Sequence, residues 1–249
     1  MFESKFCLVR SIYYFNIAFV IFFAMFYGIN AEYILYSVLV FFFMNPLGIA
    51  VSYHRYWSHK GFEWKNRFWK NLCTVPAMIS GVGSILGWVG MHRLHHIESD
   101  KPNDPHLAEK GFWNMLFMRS YTYNPNPRLF VDLLRDDYVK ITHKYWLLFP
   151  LGWMALCFLF FGIEGVFYGF CFPAMLSLIT QNCTNYFNHK QTDTFEPTNV
   201  GWINFFNFGD GWHYNHHQNP QSYTTKVNDN EIDPAGYLIK NVFAKKVYA

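Results

Sequence analysis

Four stretches of this chain contain no Asp, Glu, Lys or Arg: Ser11 to Ala31, Tyr33 to Tyr53, Tyr145 to Ile163 and Gly165 to His189. Each reaches the roughly 20 residues that carry a helix across a bilayer. Hydrocarbon offers no partner for a bare N–H or C=O, so such runs are read as helices that satisfy their own backbones. Lys5 and Arg10 precede the first run in the manner of a secretory signal. That run is long, however, and no small-residue cleavage site follows it, so it is read as a retained helix. Composition agrees: charged residues make up 15% of the chain, against roughly 25% in soluble domains.

Glu32 alone separates the first two runs and Glu164 alone the last two, which makes each pair a hairpin with a short tip. All 20 Lys and Arg residues fall in the N-terminal tail, between 54 and 144, or after 189. By the positive-inside rule those segments face the cytoplasm, the N- and C-termini with them. A fifth uncharged run, Asn71 to Met91, would put Arg93, Lys101, Lys110 and Arg119 on the opposite side if it crossed. It also holds Pro76, Gly81, Gly83, Gly87 and Gly90, and is read as a buried or interfacial helix. The fold class expected is an all-α integral membrane protein of one domain over residues 1–249. Its four transmembrane helices cover about 11–31, 33–53, 145–163 and 165–189, and a helical cytoplasmic cap covers 54–144 and 190–249. The segment from Thr224 onward is read as a surface stretch near the membrane face.

The formal net charge of +3 is too small to track a phosphate backbone, which sets nucleic acid aside. Five cysteines without C-x-x-C spacing point to neither a disulfide framework nor a thiolate metal site.

Chemistry enters with histidine. Nine of the eleven fall in four groups: His54 and His59 in HRYWSH; His92, His95 and His96 in HRLHH; His189 in TNYFNH; His213, His216 and His217 in GDGWHYNHH. Each group lies at the end of a proposed span or in the loop between spans two and three. Positions i, i+3 and i+4 share a helix face, so His92, His95 and His96 can point into one volume, as can His213, His216 and His217. His54 and His59 fall about 140° apart on a regular helix, and need a helix end between them or two different ions to serve. Asn185 and His189 are i, i+4 partners. A lone histidine at a membrane surface is an ordinary polar residue. Nine crowded imidazoles would repel one another on protonation, and coordination of a metal holds them neutral. One structural zinc site uses four ligands, so nine match two ions with four or five nitrogens each. The nearly all-imidazole set suits iron, zinc, copper or nickel.

The order H-x-x-x-x-H, H-x-x-H-H, N-x-x-x-H, H-x-x-H-H resembles the membrane-bound fatty-acid desaturases, with HRYWSHKGF, HRLHHIESDKPNDPH and GDGWHYNHH similar to the boxes of the stearoyl-CoA (delta-9) branch. The resemblance runs from about residue 11 to 220. It implies that His54, His59, His92, His95, His96, His189, His213, His216 and His217 bind two iron ions, with Asn185 contacting one through water. It implies O2 as co-substrate, a saturated fatty-acyl substrate carried on CoA, acyl carrier protein or lipid, and a cis alkene as product. Electrons would come from a small cytochrome b or a ferredoxin. GDG stands where GEG is common in that branch, and Tyr214 where Asn is more usual, which leaves carrier and donor open.

Asp104, His106 and Asp210 are candidates to orient imidazoles through their second ring nitrogen. His143 reads as an interfacial residue, and Arg55 and Arg93 as partners of carboxylates or an anionic head group. Two rival readings remain. A hydroxylase or ketolase would use the same site and leave oxygen in the product. A non-enzymatic metal or haem protein of the membrane should carry its ligands at depth within the spans, whereas these lie at the ends.

Overall fold

The computed structural model describes residues 7–119, 121, 126–190 and 194–249; Lys5 of the basic tail lies outside them. The chain is mainly helical. Helix α1 (Leu8–Phe26) and α2 (Ala31–Phe42) are joined by a short turn at Gly28, whose φ of +75° is open to glycine at no steric cost. Asn30 caps α2 by accepting from the Glu32 N–H. The α2 axis continues as a π-wound stretch, Phe43–Ser58, so the two together form one helical segment of 28 residues.

A short strand β1 (Phe62–Trp64) follows, then α3 (Arg67–Ile79) and α4 (Ile85–Glu98). The uncharged run at 71–91 is thus divided. Gly81 and Gly83 take φ of +80° and +106° between the two helices, and neither half is long enough to span. Outward along α3 stand Phe68, Leu72 and Val75, all exposed, while Thr74 and Ala77 face the π-wound stretch. There Ser52 shares a hydrogen bond with Thr74 at 2.8 Å, and a Cβ on Gly48 would sit 2.5 Å from the Ala77 backbone nitrogen.

Short helices α5 (Phe112–Leu116) and α6 (Asp137–Lys144) lead to α7 (Leu148–Val166), a π turn (Phe167–Cys171) and α8 (Phe172–Phe187). The apolar stretch Leu148–Phe187 reverses direction at Gly162, where φ +62° and ψ −151° break the helix. Across that break Trp153 Nε1 donates to the Gly169 carbonyl at 2.8 Å, and a Cβ on Gly165 would meet the Cys157 carbonyl at 2.3 Å. Among the described residues, three helical stretches are long and apolar enough to cross a membrane: Leu8–Phe26, Ala31–Ser58 and Leu148–Phe187.

Helices α9 (Asn204–Asn207), α10 (His213–Gln218) and α11 (Pro234–Leu238) precede strand β2 (Ala244–Val247). Two sequence expectations are corrected here. The fold is not purely α, because β2 pairs antiparallel with β1, Phe62 opposite Val247. Nor is the stretch after Thr224 a mere surface segment: Ala235, Ile239, Phe243 and Ala244 are buried against Val51, Phe62, Trp64 and Cys73. Alternating small and large apolar side chains there form a core of their own, which the polar start of the segment concealed.

Candidate metal centre

The nine histidines of the four groups converge. They divide into one set of five (His54, His59, His92, His96, His216) and one of four (His95, His189, His213, His217), and within each set the facing nitrogens lie within 4.8 Å of one another. Each H-x-x-H-H triple is split between the sets instead of serving one volume. From α4, His92 and His96 enter the five and His95 the four; from α10, His213 and His217 enter the four and His216 the five. Helix geometry explains the split. At about 100° per residue, i+4 returns close to i, while i+3 falls on its other side. His54 and His59 also share a set: the π stretch ends at Ser58 and His59 caps it, its N–H on the Tyr56 carbonyl, so a helix end lies between the two as their spacing required.

The ring nitrogens fit a cation better than they fit each other. In the set of five, Nε2 atoms meet in a chain: His54–His216 at 2.8 Å, His216–His96 at 3.0 Å, His96–His92 at 3.1 Å and His92–His59 at 2.8 Å. His54 directs Nδ1 at Asp210 (3.3 Å) and so offers Nε2 as a lone pair. Alternating donors from there leaves two protons for these four contacts. A cation in the middle satisfies all five lone pairs. Donors about 2.1 Å from one ion and at right angles to each other are about 3 Å apart, which is the spacing found. In the second set His95 Nε2 is buried with no hydrogen-bond partner, while its Nδ1 faces Asp104 at 2.9 and 3.0 Å.

Burial, first, and the positive charge that neighbouring rings would carry, second, hold His92, His95, His213 and His216 well below the ordinary imidazole value of 6.5. The neutral, metal-binding form is therefore favoured in the folded chain. The unfolded chain takes up protons below pH about 6.5 and the folded one does not, so folding stability present above that pH is lost as pH falls. Metal-free protein in detergent should accordingly lose thermal stability steadily from about pH 7 to about pH 5. A melting temperature indifferent to pH over that window would contradict the buried neutral rings.

Of the proposed orienting groups, Asp104 and Asp210 each meet an imidazole, while the His106 ring lies 5.4 Å from that of His95 and only the His106 backbone N–H donates to Asp104, at 2.7 Å. Asp100 escaped the sequence reading although it holds His189 Nδ1 at 2.9 Å. The signal available was its i, i+4 spacing to Asp104 in ESDKPND. His143 stands outside both sets, its Nδ1 2.6 Å from Ser84 Oγ at the start of α4. Arg93 pairs with Asp132 and donates to the Trp57 and Ser58 carbonyls, which pins the end of the π stretch to α4. Asn185 lines a cavity of about 40 Å³ together with His54, His92 and His213. A second cavity of about 60 Å³ adjoins it at Trp88, His92, Gln181 and Asn185, and has apolar walls at Val9, Val82, Met91 and Leu178.

Comparison with known proteins agrees with this geometry. A protein-family profile described as fatty acid desaturase matches residues 32–247. The sn-1 stearoyl-lipid 9-desaturase of Anabaena variabilis is 28% identical over 73% of this chain and 70% of its own length. The Delta-9 acyl-lipid desaturase 2 of Arabidopsis thaliana is 30% identical over 83% of this chain and 70% of its own. A probable acyl-CoA desaturase of Schizosaccharomyces pombe is 29% identical over 81% of this chain and 45% of its own. With its histidines gathered in two adjoining sets and the matched region running from the start of α2 through β2, the chain belongs to the fatty acid desaturase family.

Proposed function

We propose that this protein is an O2-dependent delta-9 fatty-acyl desaturase of the membrane, its two histidine sets each holding one iron ion. The observation that carries the reading is the convergence of nine imidazoles from four separate segments into sets of five and four. The substrate is a saturated acyl chain linked to a lipid or to CoA, the two carriers named among the relatives. Saturated chain, O2, two electrons and two protons give a cis alkene and two waters. The electrons come from a small cytochrome b or a ferredoxin.

In this reading the three long apolar stretches make four crossings in two hairpins, the second turning at Gly162. At about 1.5 Å per residue the 28-residue segment ending at Ser58 exceeds a hydrocarbon core of about 30 Å. His54 and His59 are thereby lifted to the basic, cytoplasmic side, where the cap carries the remaining ligands.

Iron bound in the two sets supplies the oxidant for an unactivated C–H bond, which no side chain can provide. The chain's own residues do the rest. His54, His59, His92, His96 and His216 hold one ion, and His95, His189, His213 and His217 the other, with Asn185 beside them. Asp104, Asp100 and Asp210 fix Nδ1 of their imidazoles as the protonated nitrogen, which leaves Nε2 free for metal. Val82, Met91 and Leu178 exclude water and align the acyl chain past His92.

Expression in a host with simple lipids and a suitable electron donor, followed by gas chromatography with mass detection, tests the reading. New acyl species two mass units lighter are expected. Species sixteen units heavier would identify a hydroxylase instead, and an unchanged profile would refute the proposal. Within that assay Val82→Phe, which narrows the second cavity beside His92, should cut the yield from the longest accepted chain by about tenfold and favour shorter ones. An unaltered chain-length profile would place the acyl path elsewhere.

A further inference from the structure

We infer that Asp233, outside every histidine motif, is a positioning residue for one of the two ions and acts through Arg55 and Asp210 on His54. This rests on the two-ion reading of the site. Arg55 is 1% exposed and follows His54 in the π stretch. Its Nη1 donates to Asp233 Oδ1 and Oδ2 at 2.9 and 2.8 Å, and its Nη2 to Asp210 Oδ1 at 3.1 Å. The other oxygen of Asp210 faces His54 Nδ1 at 3.3 Å. One buried guanidinium therefore divides its charge between two carboxylates, of which only one serves a candidate ligand.

Asp233 is built in tightly. It also accepts from Thr224 Oγ1 at 2.7 Å and from the N–H groups of Thr225 and Gly236, each at 2.9 Å. Gly209, with φ +121°, approaches so closely that a Cβ there would lie 2.1 Å from Asp233 Oδ1. The C-terminal segment thus fixes Arg55, and Arg55 sets how Asp210 is shared.

The second set of histidines has no such device. Asp104 on His95 and Asp100 on His189 carry no Lys or Arg ion pair among the described residues. A carboxylate on Nδ1 raises the donor strength of the ring's other nitrogen, and a guanidinium on that carboxylate draws the effect away. The ion held by the set of five is consequently the more weakly supported, and Asp233 limits that loss by occupying half of the Arg55 fork. Removing its charge leaves Asp210 as the sole counter-charge of Arg55, pulled further from His54.

The experiment is a cobaltous-ion titration of purified metal-free protein in detergent, followed by visible absorption, with folding checked by thermal melting. Wild type should take up two equivalents. Asp233→Asn should weaken one binding step about tenfold or more and leave the other within about threefold, while Asp104→Asn weakens the opposite step. If Asp233→Asn does not fold, Arg55→Lys, which keeps the charge and loses the fork, should show the same one-step defect. Equal weakening of both steps, or no change in either, would overturn the inference. A wild type that takes up fewer than two equivalents would instead overturn the two-ion reading on which it stands.

Discussion

His95→Ala is expected to abolish double-bond formation and to lower bound metal from about two ions per chain to about one. His95 is 1% exposed, reaches the centre of the four-histidine set, and is held from behind by Asp104. Alanine leaves three imidazoles and a void where the fourth nitrogen stood. Loss of an orienting partner alone typically costs 10–100-fold in metal affinity or activity, so loss of the ligand itself should take product below about 1% of wild type. His143→Ala provides the contrast, since that ring touches Ser84 and neither set. It should retain activity within about twofold. A His95→Ala enzyme with wild-type product yield would remove the basis for the metal centre.

Gly48→Leu should have the largest effect on the protein as a folded object. The new Cβ would fall 2.5 Å from the Ala77 nitrogen and 3.1 Å from the Pro76 carbonyl carbon. Both are backbone atoms inside α3, which cannot swing aside as a flexible side chain can. The two helices must part, and with them go the Ser52–Thr74 contact and the Trp57–Thr74 hydrogen bond at 3.3 Å. Overpacking of this kind costs about 3 kcal/mol or more, a large share of any domain's stability. The variant should fail to accumulate in membranes, or melt far below wild type in detergent. A wild-type melting profile would show that α3 is free to shift.

The apolar segments and the nine histidines that converge were legible because each leaves a local trace: an uncharged run, or imidazoles a few residues apart. Division of those histidines between the two sets was not. Assigning each H-x-x-H-H triple to one volume treated helix faces as the whole of the geometry, whereas two helices meeting across a pocket exchange their middle rings, His95 and His216. For His54 and His59 the sequence left two arrangements open, and the helix end at Ser58 decides for the one that puts both in one set. Asp100 and Asp233 were hidden for another reason. A lone carboxylate in a polar stretch looks like any solvated residue until the fold brings His189 or Arg55 to it. The pairing of β1 with β2 was likewise invisible, because two strands of three and four residues far apart in sequence carry too little alternation to be recognised.

That pairing sets an order on biosynthesis. Glu63 and Tyr248, joined by a hydrogen bond, are separated by 185 residues, which a ribosome adds in roughly 10–40 s. Throughout that interval the first pair of imidazoles waits beside an unpaired strand edge, while the hydrophobic segments are already entering the bilayer. On the two-ion reading, the nascent chain therefore loads its full complement of metal only as one of the closing events of its maturation.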